Sequence, residues 1–378
     1  MDIANALVYG LRDSLPPDLR TFSTLTTVVR FQTQRRALMS HRATLHDVAA
    51  QAGVSVASAS RALIGGSASL EMISKVRRAA KQLGYVPDAT ARSLRMGGTR
   101  QVVFAVDDIG NLNYVAMLRA IEHEFTGAGI RLNVTATGRS ERQTLDLVRS
   151  MNSGAGDGLI ISPLRVTPAL RRALLETVVP VVVIGSLHRD VAIDVVSVDS
   201  ALAVELAVAH LVATGRRRIA FLNGPLDTHP GASRRRGYLA GLAAAGMTPD
   251  ESVVEVADDF TIEAGRRSTA LLIERRPSNT FDAIVAANDL LAVGAISTCL
   301  ASGVGVPDEV AVTGIDDTEF AASYNPSITS VSIGSAERGK RAARLLLERF
   351  AEPTLAPRTS AVHPSLIARA STGVTRGA

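Results

Sequence analysis

Two hydrophobic textures divide the chain near residue 100. Between Thr44 and Gly84 apolar residues recur at the three-to-four spacing of short amphipathic helices. Thr44 is an N-cap with Asp47 three residues on, a capping-box variant, and Leu45, Val48 and Ala49 follow at helical spacing until Gly53 stops the run. Ser55 caps a second helix over 56–63, ended by Gly65-Gly66. A third helix, 70–83, sets Ile73, Val76, Ala80 and Leu83 on one stripe before Gly84. After Arg100 short aliphatic runs alternate with amphipathic stretches. The runs 102–106, 132–135, 158–161, 181–184, 219–222, 283–286 and 310–313 read as buried strands. Helices are expected over 115–127, 201–214, 235–245, 264–275 and 290–301. Such alternation predicts parallel sheets covered on both faces, and the strand count is too high for one compact sheet. The expected fold is a small all-α head followed by an α/β core of two doubly wound lobes. Ligands of such cores sit at the carboxyl ends of the strands.

Residues 1–42 show no sustained period, and Pro16-Pro17 and the Thr/Ser-rich stretch 21–27 break any helix. They are expected to be an extension outside the folded protein, with translation starting at Met39. No run reaches the ~18 apolar residues of a membrane span, and the N-terminus lacks the charged start and cleavage site of a secretory signal. The one cysteine, Cys299, excludes an internal disulfide and a multi-thiolate metal site, so a reducing cytoplasm is expected. Charge is unevenly placed. Residues 1–100 hold fourteen Lys/Arg and six Asp/Glu, whereas the remaining 278 hold 27 basic and 30 acidic side chains. A basic front and a mildly acidic body point to a head that meets a polyanion.

Two short helices joined by a Gly-containing turn over 44–61 describe a helix-turn-helix, whose second helix enters the DNA major groove. Ser55, Val56, Ala57, Ser58 and Ser60 are small enough for close backbone approach. Val56 and Ala57 suit thymine methyls, and Arg61 suits guanine or a phosphate. Packing alone would also account for a Ser/Ala-rich helical bundle. The stretch T-L-H-D-V-A-A-Q-A-G-V-S-V-A-S-A-S-R resembles the head of the lactose/galactose repressor (LacI/GalR) family of bacterial transcription regulators. The resemblance continues through L-G-Y-x-P at 83–87, A-R-S-L at 91–94, V-D-S at 198–200 and R-R-I-A-F-L-N-G at 217–224. It is completed by R-x-x-G-Y at 234–238, A-N-D at 287–289 and G-I-D-D at 314–317, spanning 43–372 in all.

That resemblance implies a helix-turn-helix domain at 43–87, a hinge helix or linker at 88–100 and a periplasmic-binding-protein-like effector core at 101–375. The first lobe would take about 101–199 and 332–358, and the second about 200–330 and 359–372. It implies a homodimer on a pseudo-palindromic double-stranded operator, controlled by a sugar-like effector, with no cofactor, metal, membrane partner or catalysis. Tyr85 falls among the head's DNA-proximal positions, and Ala91 and Leu94 on the hinge helix, where leucine wedges between minor-groove base pairs. Arg234, Asn288 and Asp316 fall at polar effector positions, Asn113 and Tyr114 in the loop after the first strand, and Phe260 near an aromatic platform. Bland roles stand beside these: Asp289 and Asp317 can cap helices, and Tyr114 can be core.

Some positions depart from the family pattern. Ile64 and Asp88 replace asparagines and Met72-Ile73 a Thr-Arg pair, so fewer phosphate contacts and weaker, more salt-sensitive DNA binding are expected. Gly185-Ser186 replaces a charged or aromatic contact, which leaves the effector open. The competing reading is a small-molecule sensor with a degenerate head. An enzyme is disfavoured: no nucleophile elbow, phosphate loop or H-E-x-x-H occurs, and the seven histidines have no metal spacing.

Overall fold

The computed structural model describes residues 43–64, 68–85, 100–187, 191–275, 281–373. The extension 1–42 and the hinge positions Asp88, Ala91 and Leu94 lie outside the described residues. The chain forms two compact units, one ending at Gly97 and one beginning at Gly98.

The head contains α1 (Leu45–Ala52), α2 (Val56–Ile64) and α3 (Leu70–Gln82). The capping box forms as expected: the Thr44 hydroxyl accepts from the Asp47 amide at 3.3 Å, and the Asp47 carboxylate accepts from the Thr44 amide at 2.8 Å. Gly53 ends α1 at φ +63°, a conformation favouring glycine, and turns the chain into α2. The core between the helices is small: Val48, Ala49, Ala52, Ala59, Ala62, Val76, Ala79 and Ala80. Alanines at the crossings let three short helices pack closely enough to bury what little apolar surface they own.

The second unit contains β1 (Gln101–Val106), α4 (Leu112–Thr126), β2 (Arg131–Ala136), α5 (Glu141–Met151), β3 (Gly158–Ser162), α6 (Pro168–Leu175), β4 (Val181–Ile184) and β5 (Asp194–Val198). The chain then crosses to α7 (Ser200–Ala213), β6 (Ile219–Asn223), α8 (His229–Ala244), β7 (Val254–Val256), α9 (Ile262–Glu274), β8 (Ala283–Ala286), α10 (Asp289–Ala301), β9 (Ala311–Ile315), α11 (Glu319–Ser323) and β10 (Thr329–Ser332). It returns for α12 (Ser335–Ala351) and β11 (Thr359–Val362), then crosses again to β12 (Ser365–Ile367). The first sheet runs β2-β1-β3-β4-β5-β11, parallel throughout; the second runs β7-β6-β8-β9-β10-β12, with β12 antiparallel. The two-residue period of β1 shows why both faces are covered. Val102, Phe104 and Val106 pack with α4 and α12, while Val103 and Ala105 pack with α5 and α6 on the other face.

Two expectations need correcting. Residues 359–362 belong to the first lobe, because β11 adds to the exposed edge of β5 with Thr359 opposite Val195. Helices α4 and α8 also begin earlier than the apolar period suggested. Asn111 caps α4, and Thr228 followed by Pro230 starts α8, so capping chemistry extends both helices beyond their apolar stripes. Asn113, Tyr114 and Arg234 therefore project from helices and not from loops.

Candidate functional site

In the head, Ser55, Ala57 and Arg61 are exposed, and Val56 and Ser58 are half-buried. Ala57 and Arg61 stand four residues apart on one face of α2. The Ser55 hydroxyl accepts from the Ser58 amide at 3.1 Å, and Arg61 donates to the Ser58 hydroxyl at 3.3 Å. Ser60 departs from its expected place: it is 8% exposed, on the buried side beside Ala59. Helical geometry carries it 100° away from its neighbours' outward face. Tyr85 is half-buried against the head core. Met72 and Ile73 pack there too, which gives their apolar character a structural reason. Lys75, Arg77, Arg78 and Lys81 are all exposed on α3.

The second unit holds a cleft at the carboxyl ends of its strands, enclosing about 870 Å³ of empty space including that open to solvent. All six expected effector residues line it: Asn113, Tyr114, Arg234, Phe260, Asn288 and Asp316. Arg234 is 6% exposed, its guanidinium 3.9 Å from an Asp316 oxygen and 5.7 Å from the centre of the Phe260 ring. Among the described residues its Nε has no hydrogen-bond partner. Phe260 rests on Gly224, where an added Cβ would lie 2.1 Å from the ring. Gly224→Ala is therefore expected to push the ring off its seat. The substitution should lower stability by about 1–3 kcal/mol and weaken ligand binding, as thermal unfolding and calorimetry would show; an unchanged melt would contradict this packing.

Asn288 serves the protein first. Its Oδ1 accepts from the Leu291 amide at 2.9 Å as the cap of α10, and its Nδ2 donates to the Phe260 carbonyl at 3.1 Å. It thereby ties the platform loop to a helix start. Asp289 caps no helix of its own; its buried carboxylate accepts from the Thr318 amide and hydroxyl and from Ser330 at 2.6–2.9 Å. Asp317 instead pairs with Arg369 at 2.5 Å. Asp316 has a φ of +117°, a strained value for a residue with a side chain, and its amide donates to the Val331 carbonyl at 2.9 Å. Burial, with the Asp289 charge, pushes its carboxyl up to about 7 against the opposing pull of Arg234 and Arg338.

Sequence reasoning missed Asp107 and Arg338. Asp107 follows β1 and lines the cleft; burial and the Asp259 and Asp108 charges raise it to about 6. Arg338 sits on the buried stripe of α12 with Ser335, Gly339, Ala342, Ala343 and Leu346. An arginine on an otherwise small and apolar stripe was the available signal. Tyr114 is both core and lining: it packs in the first lobe and lines the cleft, and burial raises its phenol. Between the lobes Arg165 holds Asp227 through two bonds of 2.7 and 3.1 Å, Arg139 pairs with Asp259, Arg119 reaches Glu319 at 3.0 Å, and the His229 amide donates to the Leu164 carbonyl at 2.8 Å. Among the described residues no helix is long and apolar enough to cross a membrane.

An exposed recognition-type helix and a two-lobed cleft occur together in known proteins. The family model of bacterial regulatory proteins of the lacI family matches residues 44–88, and that of the periplasmic binding protein-like domain matches residues 208–372. The chain is 34% identical over 340 residues to the HTH-type transcriptional regulator CelR of Thermobifida fusca, covering 87% of this chain and 98% of that protein. A solved CelR–cellobiose complex is 32% identical with a TM-score of 0.66, covering 87% of this chain and all of that one. The lac repressor dimer bound to operator and the anti-inducer ONPF is 26% identical with a TM-score of 0.75, covering 87% and 99%. With its helix-turn-helix head and two parallel-sheet lobes, the chain belongs to the lacI family of bacterial transcriptional regulators.

Proposed function

We propose that this protein is an operator-binding repressor whose hold on DNA is switched by a polyhydroxylated small molecule in the interlobe cleft. The observation that carries this reading is the convergence of Arg234, Asp316, Phe260, Tyr114 and Asn113 from both lobes on one cleft. Hydrogen-bonding groups beside a flat ring recognise a polyol, and the related CelR structure holds cellobiose. Ser55, Val56, Ala57, Ser58 and Arg61 would meet base edges and phosphates, and Tyr85 the DNA side of the head. Ala91 and Leu94 would fold as a hinge when two subunits meet on a pseudo-palindromic site. The effector shifts operator affinity only as far as it prefers one arrangement of the lobes. A cytoplasmic location follows from that role, and turnover has no part in it.

Selection of bound duplexes from random DNA tests the reading, with enrichment of a palindrome expected and no enrichment at low salt overturning it. Arg61→Ala is expected to cost about 1–3 kcal/mol at one base position, a ten- to hundredfold loss of specific binding. Ligand affinity should be unchanged; equal loss of both would contradict this division of labour. The exposed Lys75, Arg77, Arg78 and Lys81 favour an active head over a degenerate one.

A further inference from the structure

Two buried arginines, Arg234 and Arg338, line the cleft together with Asp107, Asp108, Asp259 and Asp316. Arg338 is 5% exposed, and its guanidinium makes two long contacts, 3.3 Å to the side-chain Oδ1 of Asn113 and 3.4 Å to the Ser335 hydroxyl. Its Nε, like that of Arg234, has no hydrogen-bond partner among the described residues. Asp316 is the carboxylate whose charge acts on both guanidiniums. The two buried cations thus share one carboxylate, Asp316, while Asp289, which also acts on Arg234, is held by Thr318 and Ser330; the shared carboxylate sits 3.9 Å from Arg234, beyond hydrogen-bond range. A neutral sugar would leave this imbalance in place, at the desolvation cost of an under-paired buried guanidinium.

Asp107 lies in a different electrostatic neighbourhood from the two arginines. Asp107 responds to Arg165, Asp259, Asp108 and Arg139, whereas Asp316 responds to Arg234, Asp289 and Arg338. Tyr114 lines the same cleft and feels charges of both sets, Asp107, Arg338 and Asp316. A ligand spanning them meets cationic donors at one end and hydroxyl-accepting carboxylates at the other.

We infer that the effector is an anionic polyol, with a carboxylate or phosphate oxyanion held by Arg338 and Arg234 and its hydroxyls directed toward Asp107. The planar fork of arginine matches either oxyanion with paired hydrogen bonds. This inference rests on the proposed effector role of the cleft. Its test uses the full chain in calorimetry and thermal-shift titrations against matched probes: D-glucose, D-gluconate, D-glucuronate, D-glucose 6-phosphate and cellobiose. An acid is expected to bind about tenfold or more tighter than its neutral counterpart, and the carboxylate and phosphate arms identify the oxyanion. Arg338→Met should cut acid affinity about 100-fold, leave neutral sugars unaffected and leave the ligand-free melting temperature unchanged or higher. Arg338→Lys should recover part of the loss. Equal or better binding of neutral sugars, or a lower melting temperature with unaltered ligand preference, would overturn the inference by making Arg338 structural. Failure of every acid at millimolar concentration also overturns it; failure of the neutral sugars as well removes the effector role of the cleft itself.

Discussion

Arg234→Met is expected to yield a protein that still binds operator but no longer responds to the ligand. The loss of ligand affinity should be about 100-fold, the scale for removing one partner from a buried, charge-assisted contact. Arg234 is buried on α8, its Nε has no hydrogen-bond partner among the described residues, and Phe260 and Asp316 flank its guanidinium. Ligand binding would complete those bonds, so the substitution removes energy that exists only in the bound state. Lysine should not restore it, since a point charge lacks the paired donors and the flat face over Phe260. Reciprocity between the two ligands makes the outcome measurable from either side: the ligand should cease to alter operator affinity, and operator should cease to alter ligand affinity. Stability adds a signature. Asp316 already titrates near 7 with Arg234 in place. Without that cation its pKa rises further, and at neutral pH it takes a proton instead of remaining an unpaired buried charge. A carboxyl whose folded pKa lies above its unfolded value loses stability as pH rises through the interval between them. The melting-temperature gap between variant and parent should therefore widen as the pH is raised above about 7. A constant gap would mean that Arg234 does not govern Asp316.

Asp194→Ala is expected to destabilise the first lobe by about 3 kcal/mol, at the lower end of the range for breaking a buried ion pair. The Asp194 side chain is fully buried, and Arg349 and Arg358 reach it at 2.9 and 3.2 Å. The Arg358 amide donates to the same carboxylate at 2.8 Å. One carboxylate thus pins the end of α12 and the entry to β11 onto β5. Its loss takes from Arg349 the carboxylate it pairs with, softened by a carbonyl bond to Pro353 at 3.3 Å, whereas Arg358 keeps its ion pair with Glu348 and a carbonyl bond to Leu345 at 3.3 Å. Urea unfolding should show an earlier first-lobe transition, and limited proteolysis should cut near 353–362 before the second lobe opens. Asp194→Asn, which keeps acceptor capacity, should cost less. Cleavage spread evenly over both lobes would show that the cluster does not act locally.

The sequence by itself determined what short-range physics controls. Caps at Thr44 and Ser55, the αL glycine at position 53 and the period of the aliphatic runs report neighbours within a few residues, and the head and the strand–helix alternation follow from them. Motif order over 43–372 carried the family and, through it, six of the residues that line the cleft. Pairings made across hundreds of residues were decided by tertiary structure alone. β11 was assigned to the second lobe because its own four residues say nothing about which sheet edge stands open, whereas β5 supplies that edge from 164 positions away at Asp194 and Arg358. Ser60 reads as small and polar like Ser55 and Ser58; only packing against the other two helices separates its buried side from their outward one. Arg338 interrupts a small, apolar stripe of α12, but the contact that makes it part of the cleft, with Asn113, spans 225 residues. A buried cation acquires its meaning from the groups that surround it, and those are assembled only when the two lobes close their sheets around a shared space.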